Sequence, residues 1–252
     1  MDREAVGPLD RFGAFLARRG RRAWPLTVTA VEPLTPGMVR VRFAGPDLHE
    51  LEWKRGQDLL LELPMADGGV ARRHYTIRHH DAAARTLSID FVRHGQGGAM
   101  AWLDGLKPGH RIDAVGPRGH TWLRDGDWHL FVGDETCIPA IFAMLESVPE
   151  GETAHVFLEA AVESERLAPD CAREFDLRWH VRNGAPPGPS RILYDAVEAF
   201  ALPAGEGHAY VIGETSNVRA IRHRLIARGM ERGRIVSEGY WRPGRIGGHD
   251  HV

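Results

Sequence analysis

The sequence predicts a β + α/β protein in which a six-stranded antiparallel barrel precedes an α/β domain built on a parallel sheet. The chain has 252 residues, which is enough for two ordinary domains. Six short strand-like segments separated by turns occupy its first half. From Trp128 onward, strand-like and helix-like segments alternate, as they do where helices cover a parallel sheet. The predicted domains span residues 20–120 and 127–252.

Apolar and polar residues alternate along the strands of the first half, and turns rich in Gly, Pro and Asp separate them. A helix is predicted over residues 9–20, because apolar residues recur there at helical spacing and Gly20 ends the pattern. A short helix is predicted over Gly98–Leu103. The predicted strands are Leu26–Val31, Met38–Ala44, Leu59–Leu63, Arg73–Arg78, Thr86–Val92 and Arg111–Val115.

Strands and helices of the second half follow from apolar runs that differ in length and spacing. The rhythm changes at about residues 120–127, where the domain boundary is predicted. The predicted strands are Trp128–Gly133, His155–Leu158, Leu177–Val181, Tyr210–Ile212 and Ile235–Ser237. The predicted helices are Pro139–Leu145, Ile192–Phe200 and Val218–Arg228.

Composition narrows the class of function. A net charge of −2 gives no overall field that would attract nucleic acid or a membrane surface. Cys137 and Cys171 are far apart and show no metal-binding spacing, which favours a reducing compartment. No apolar run reaches the roughly 18 to 20 residues of a membrane span. We therefore expect a cytoplasmic protein, and a monomer because no sustained heptad pattern occurs.

The most informative stretch runs from residue 71 to residue 103. Residues 73–78 read Arg-His-Tyr-Thr-Ile-Arg on a predicted strand, and residues 97–99 read Gly-Gly-Ala where the short helix is predicted. Arginine and the free N–H groups of a helix N-terminus bind phosphate, and a tyrosine ring packs well against a flat π-system. The stretch therefore suits an anionic aromatic cofactor.

Residues 73–78 resemble the Arg-x-Tyr-Thr-x-Arg flavin signature of the siderophore-interacting protein family, a branch of the ferredoxin reductase-like flavoproteins. Residues 90–99 resemble that family's second flavin segment, although Gly98 and Met100 stand where the family usually has Pro and Ser. The resemblance implies FAD in the barrel, with Arg78, His94 and the 97–99 turn at its phosphates. The implied FAD contacts are Arg73, His74, Tyr75, Thr76, Arg78, Asp90, Val92, His94, Gly97, Gly98 and Ala99.

Three later motifs resemble the same family, which places NAD(P)H in the second domain. Residues 133–140 read Gly-Asp-Glu-Thr-Cys-Ile-Pro-Ala, residues 213–214 read Gly-Glu, and residues 240–242 read Tyr-Trp-Arg. Taken alone, each has an ordinary alternative: a capped strand–helix turn, a helix cap, or a tryptophan that closes a core. The implied nucleotide contacts are Gly133, Asp134, Glu135, Thr136, Gly213 and Glu214, whereas the aromatic residues Tyr240 and Trp241 would flank a flavin edge.

Basic residues are the candidates for holding a negatively charged substrate, because a basic rim raises the local concentration of anions. The predicted substrate-binding residues are Lys54, Arg118, Arg242 and Arg245. Arg182 and Arg191 stand where related reductases contact the nucleotide 2′-phosphate, which favours NADPH over NADH. No resident metal site is predicted, since His74, His79, His80 and His94 do not converge along their strands.

The resemblance implies an FAD-dependent, NAD(P)H-consuming ferric-siderophore reductase. Its partners would be a ferric siderophore and a pyridine nucleotide, and the flavin would perform the redox chemistry without a catalytic side chain. Two alternatives stay open: a flavin or ferredoxin-type reductase that serves a protein acceptor, and a carrier that binds siderophore without turnover.

Overall fold

The structure is a computed structural model that describes residues 22–64, 69–93, 98–244 and 250–251. The helix predicted over residues 9–20 lies outside these ranges. So do three residues with predicted binding roles: His94, Gly97 and Arg245. No helix within the described ranges is long and apolar enough to cross a lipid bilayer.

Seven antiparallel strands form the sheet of the first half, in the order β4-β3-β7-β1-β2-β6-β5. Alternate side chains along these strands point inward, and Val41, Phe43, Leu61 and Ile89 are fully buried in the core. The elements are β1 (Ala23–Thr35), β2 (Met38–Ala44), β3 (Asp58–Pro64), β4 (Val70–Thr76), β5 (His79–Asp81), β6 (Thr86–Val92), α1 (Gly98–Asp104) and β7 (Arg111–Arg118).

The short strand β5 makes this sheet one strand larger than predicted. It pairs with β6, whereas β4 lies at the opposite edge of the sheet. Just after β4, the backbone N–H of Arg78 donates to the carbonyl of Ser88 in β6 over 2.8 Å. The sheet therefore curls into a barrel-like arrangement. The predicted antiparallel barrel is confirmed, with seven strands instead of six.

The second half is an α/β unit whose sheet has the order β10-β9-β8-β11-β12-β13. Five strands are parallel, and the two-residue β13 runs antiparallel to β12. The predicted parallel sheet is therefore confirmed. Its elements are β8 (Trp128–Gly133), α2 (Ile138–Leu145), β9 (Thr153–Ala160), β10 (Asp176–Val181), α3 (Ile192–Ala199), β11 (Gly207–Glu214), α4 (Thr215–Ala227), β12 (Ile235–Trp241) and β13 (Asp250–His251).

Strand order reverses at β8, which has β9 on one side and β11 on the other. In open α/β sheets, ligands bind beyond the carboxyl ends of the strands at such a reversal. The motif residues after Gly133 and Gly213 lie at the carboxyl ends of β8 and β11. The topology therefore brings both glycine turns to the edge where a ligand is expected.

Apolar packing joins the two sheets. Met38 of β2 is buried in one core cluster with Phe131 of β8 and Ile141 of α2, and Leu34 and Val92 pack against that cluster. The first sheet thus contributes side chains to the core of the second half.

A cluster of charges, here called the junction cluster, crosses the same boundary. It consists of Arg40, Arg78, Asp90, Glu146 and Asp170. Arg78 is fully buried, and its guanidinium donates to Glu146 at the end of α2 (2.7 Å from Nη1) and to Asp170 (3.1 Å). Arg40 donates to Asp90 over 2.7 and 2.9 Å and to Asp170 over 2.9 Å. Carboxylates of the second half therefore neutralise arginines of the first sheet.

Candidate functional site

Asp134 connects the ends of three parallel strands. Its Oδ1 accepts from the backbone N–H (2.9 Å) and the hydroxyl (2.5 Å) of Thr136, in the turn that leads to α2. Its Oδ2 accepts from the backbone N–H of Glu214 at the end of β11 (2.8 Å) and from the indole Nε1 of Trp241 at the end of β12 (3.0 Å). One carboxylate therefore fixes the relative positions of the three motifs at residues 133–140, 213–214 and 240–242.

Glycine is required on both sides of this carboxylate. A Cβ on Gly133 would lie 2.1 Å from the Cys137 sulfur and 2.4 Å from the carbonyl oxygen of Ile212. Gly213 has a φ of +136°, and its Cβ would lie 2.5 Å from Asp134 Oδ2. Both turns therefore pack against each other at a distance that only glycine allows.

Burial sets the protonation of this region. It raises the pKa of Asp134 from its usual 3.8 to about 6, against the opposing effect of the hydrogen bond from Thr136. Burial likewise raises the pKa of the Cys137 thiol well above its usual value. Cys137 is therefore a packed thiol and not an activated nucleophile.

Glu214 is buried and caps helix α4. Its Oε2 accepts from the backbone N–H of Asn217 over 2.8 Å. Among the residues that the structure describes, no hydrogen-bond partner reaches the buried Oε1 of Glu214. An unsatisfied buried carboxylate oxygen at the strand reversal is an acceptor ready for a ligand N–H.

Tyr240 joins the second sheet to the flavin-motif strand, which is β4 with the flavin signature of residues 73–78. Burial raises the pKa of Tyr240 well above its usual value, and a hydrogen bond with the Thr76 side chain opposes that rise. Thr76 is buried at the end of β4, and Tyr240 precedes Trp241 in β12. The nucleotide motifs and the flavin-motif strand therefore meet at these two hydroxyl groups.

Strand β4 divides the predicted flavin residues between two faces. The ring of Tyr75 lies 4.3 Å from that of Phe91, and burial raises the pKa of Tyr75 to about 12. Arg73 is half-buried and donates to the carbonyl of Arg72 over 2.8 Å. Val92 and Ala99 are also half-buried. Because successive strand residues alternate in direction, Arg73 and Tyr75 face one side while His74 and Thr76 face the other.

His74 points into a concavity of about 840 Å³ between β4, β7 and β12. Its Nδ1 lies 2.7 Å from Asp58 Oδ1, and its Nε2 lies 3.4 Å from Nη1 of Arg118. Trp122 lines this concavity and also a neighbouring one of about 460 Å³. Two predicted substrate-binding residues, Arg118 and Lys54, therefore lie in adjoining concavities. Arg242 is exposed just after β12.

The geometry of Arg78 and Asp90 disagrees with their predicted contacts to FAD. Both side chains are buried in the junction cluster, where carboxylates already surround the Arg78 guanidinium. A guanidinium that is buried and paired in this way does not reach a phosphate bound at the protein surface. We therefore assign both residues to the joining of the two halves.

The Arg182 guanidinium, predicted to contact a nucleotide 2′-phosphate, is likewise directed at carboxylates of the protein. It is buried and donates to Glu135 (2.9 and 2.5 Å) and to Glu159 (2.9 Å). Arg191 is exposed and pairs with Asp195 one helical turn later. Glu135 thus serves as a partner of Arg182 in this structure. Arg182 and Arg191 therefore give no preference for NADPH over NADH in this structure.

One group of potential metal ligands occurs among the described residues. His79, Glu146 and Asp170 place ligand atoms within 4.8 Å of one another. Arg78 and Arg40 already donate to these same carboxylates. Two fixed positive charges would oppose a cation at this position.

Solved structures and sequence relatives now identify the class. A ferredoxin reductase in carbazole 1,9a-dioxygenase superposes with a TM-score of 0.70 over 86% of this chain and 68% of that one, at 19% identity. A siderophore utilization protein from T. fusca superposes with a TM-score of 0.83 over 90% and 95% of the two chains, at 32% identity. The fold is therefore that of the ferredoxin reductase-like proteins.

Family-level matches cover both halves. A model for the siderophore-interacting FAD-binding domain matches residues 60–121, and one for the siderophore-interacting protein matches residues 126–244. Ferric vibriobactin reductase ViuB of Vibrio cholerae is 30% identical over 199 residues, which cover 74% of this chain and 73% of that protein. This chain belongs to the siderophore-interacting protein family.

Several residues of the site escaped prediction. Asp58 and Glu238 line the concavity, yet neither was assigned a role. Strand alternation does not connect Glu238 to Tyr240, because the pairing of β12 with β11 is irregular between Gly239 and Trp241.

Proposed function

We propose that this protein is an FAD-dependent ferric-siderophore reductase that takes electrons from NADH or NADPH. One observation carries the proposal: Asp134 gathers the two glycine turns and Trp241, and Tyr240 connects them to Thr76 of the flavin-motif strand. A nucleotide edge and a flavin strand that meet in this way suit transfer between two bound cofactors.

The described residues fit FAD. Tyr75 offers a half-buried ring, Arg73 offers a guanidinium that donates to its neighbour's carbonyl, and α1 begins at Gly98 nearby in sequence. These groups would hold an aromatic ring and its phosphates. Family membership through a siderophore-interacting FAD-binding domain supports the same cofactor.

The carboxyl edge of the second sheet, where the strand order reverses at β8, fits a pyridine nucleotide. The turn from β8 to α2 and the capped start of α4 direct backbone N–H groups toward the carboxyl edge of the sheet. Glu214 Oε1 would accept a hydrogen bond from the carboxamide of the nicotinamide. Arg182 supplies no free charge there, so the structure favours neither NADH nor NADPH.

A bound flavin would supply the conversion between a two-electron nicotinamide donor and a one-electron iron acceptor. The protein's own task is positioning. Lys54 and Arg118 would attract an anionic ferric chelate toward the concavities that share Trp122. The similarity to ferric vibriobactin reductase ViuB supports iron chelates as the acceptor. Ferrous iron binds hard oxygen ligands more weakly than ferric iron, so reduction would release it.

Anaerobic absorbance of the purified protein tests this proposal. NADH or NADPH should bleach the flavin bands, and a ferric siderophore should restore them while a ferrous trap changes colour. Bands that bleach and fail to return would indicate a protein acceptor instead. Absence of flavin bands after FAD is supplied would favour a carrier without turnover.

Glu214→Gln sharpens the test of the nucleotide site. The amide keeps an oxygen for the cap on Asn217 and replaces the unpartnered Oε1 with an N–H donor. We expect a KM for the nucleotide about tenfold higher or more, with FAD content unchanged. Glu198→Gln is the matched control, because Glu198 is a surface residue paired with Arg224 on the far side of α3. Equal KM values in the two variants would contradict the role of Glu214.

A further inference from the structure

His74 belongs to a three-residue chain of contacts, of which the reductase function proposed above uses only Arg118. Asp58 is 5% exposed and lies 2.7 Å from Nδ1 of His74. On the other side of the ring, Nη1 of Arg118 lies 3.4 Å from Nε2. Asp58 is on β3, His74 on β4 and Arg118 on β7, so three strands hold the imidazole in place.

These contacts define the proton positions on the ring. A carboxylate accepts, so Nδ1 carries a hydrogen that it donates to Asp58. The guanidinium of Arg118 only donates, so Nε2 of the neutral ring directs its lone pair toward Arg118 and the concavity. A second proton on Nε2 would give an imidazolium that Asp58 stabilises.

The concavity is large enough for an iron chelate. Its volume of about 840 Å³ lies within the range of roughly 300 to 1,000 Å³ that is typical of small-molecule sites. The other charged and titratable groups on its wall are Arg22, Glu50, Glu52, His120 and Glu238. Arg22 pairs with Glu50, and Glu238 accepts from the hydroxyl of Thr121 over 2.6 Å. Arg118 is therefore the cation of this wall that lies beside His74.

We propose that His74 is a proton donor to the oxygen ligands of the ferric chelate, a role that rests on the proposed reductase function. Arg118 would bind an iron-bound oxygen of the chelate, which withdraws its N–H from Nε2 and lets that nitrogen take a proton from solvent. When one electron from the reduced cofactor reaches iron, the Fe–O bond breaks. The oxygen takes the Nε2 proton, and neutral His74 is recharged by solvent.

This step balances electrons and protons. Iron(III) gains one electron and becomes iron(II), and one anionic oxygen gains one proton and becomes a hydroxyl group. The same chemistry applies to hydroxamate, catecholate and carboxylate ligands, because each binds iron through an anionic oxygen. Protonation prevents that oxygen from binding the metal again, so delivery of a proton and release of iron are coupled.

Two electron acceptors, one that needs protons and one that does not, distinguish an effect on proton delivery from an effect on electron transfer. Tris(acetohydroxamato)iron(III) needs protons to release its iron, whereas ferricyanide accepts one electron with no proton. In stopped-flow reoxidation of the reduced protein at matched flavin content, we expect His74→Asn to lower the ratio of the hydroxamate rate to the ferricyanide rate about tenfold or more. The asparagine amide lies near the position of Nδ1 and retains a donor for Asp58. His223→Asn, an exposed histidine of α4, is the matched control.

The pH profile gives a second readout. In the wild type, the hydroxamate rate should fall as the pH rises, and in His74→Asn that fall should be absent. Equal slowing with both acceptors, or no slowing with either, would overturn the proton-donor role. Reduced wild-type protein that transfers electrons to ferricyanide and none to the hydroxamate would instead overturn the proposed function.

Binding tests the same residue without redox chemistry. Tris(acetohydroxamato)gallium(III) has the shape and charge of the iron complex and cannot be reduced. In protein with labelled histidine, the ring signal that disappears in His74→Asn should move toward its protonated position when the gallium complex is added. If that signal stays in place up to the solubility limit of the complex, the concavity does not receive the chelate and the proposal fails.

Discussion

The buried carboxylate of Asp134 should make the folded state less stable as the pH rises. In the unfolded chain this carboxyl loses its proton near its usual pKa of 3.8, whereas the folded chain retains the proton up to a pKa of about 6. Between those values the folded state binds more protons. The stabilisation by Asp134 is therefore complete below pH 3.8 and is lost as the pH rises through about 6.

The two pKa values set the size of this effect. Each pKa unit corresponds to about 1.36 kcal/mol, so the full difference between 3.8 and about 6 is about 3 kcal/mol. Titration of both states places about 1.4 kcal/mol of this change between pH 5 and pH 7.5. The main source of the higher pKa is the removal of the Asp134 carboxylate from water, and the charge of Glu135 adds to it, whereas the hydrogen bonds from Thr136 and Trp241 oppose it.

Urea unfolding of the wild type and of Asp134→Asn at pH 5 and pH 7.5 measures the effect. The asparagine does not titrate, so its pH dependence reports every other group in the chain. We expect the wild type to lose about 1.4 kcal/mol more than the variant between the two pH values. A difference near zero, or a wild type that gains stability relative to the variant, would refute the assignment of a buried, solvent-excluded carboxylate.

Two further predictions concern the first half. Arg73→Ala should lower FAD affinity about tenfold or more, seen as a smaller ratio of flavin to protein absorbance after purification, whereas the neighbouring Arg72→Ala should retain FAD. Full retention in both variants would remove Arg73 from the flavin site. Arg78→Ala should cost about 3 to 5 kcal/mol in urea unfolding because it leaves buried carboxylates unpaired, and Arg42→Ala, which breaks an exposed pair with Glu32, should cost under about 1 kcal/mol. Similar losses in these two variants would contradict the buried network.

Local patterns were sufficient for most elements of the fold. The predicted strands Met38–Ala44, Thr86–Val92 and Trp128–Gly133 coincide with β2, β6 and β8. Strand β5 was missed because its sequence, His-His-Asp, has neither apolar alternation nor β-branched residues. It exists because β6 supplies a partner edge, which is a tertiary contact that no local pattern encodes.

The part of the candidate site that could be predicted is the part built from the ends of the parallel strands. Motifs at the carboxyl ends of parallel strands must lie at one edge, so the meeting of Gly133 and Gly213 could be expected. The partners of Arg78 could not, since Glu146 and Asp170 are 68 and 92 residues away in the chain. The partners of Arg182 were unpredictable for the same reason, because Glu159 is on β9 and Glu135 is in the turn after β8.

The junction cluster limits how this protein can be recombined with its relatives. Arg78 and Arg40 come from the first half, and Glu146 and Asp170 from the second. A hybrid that combines one half with the other half of a relative would bury unpaired charge unless both sides of the cluster were inherited together. The two halves have separate sheets and separate cofactor motifs, yet because of these ion pairs they can be exchanged with a relative only together.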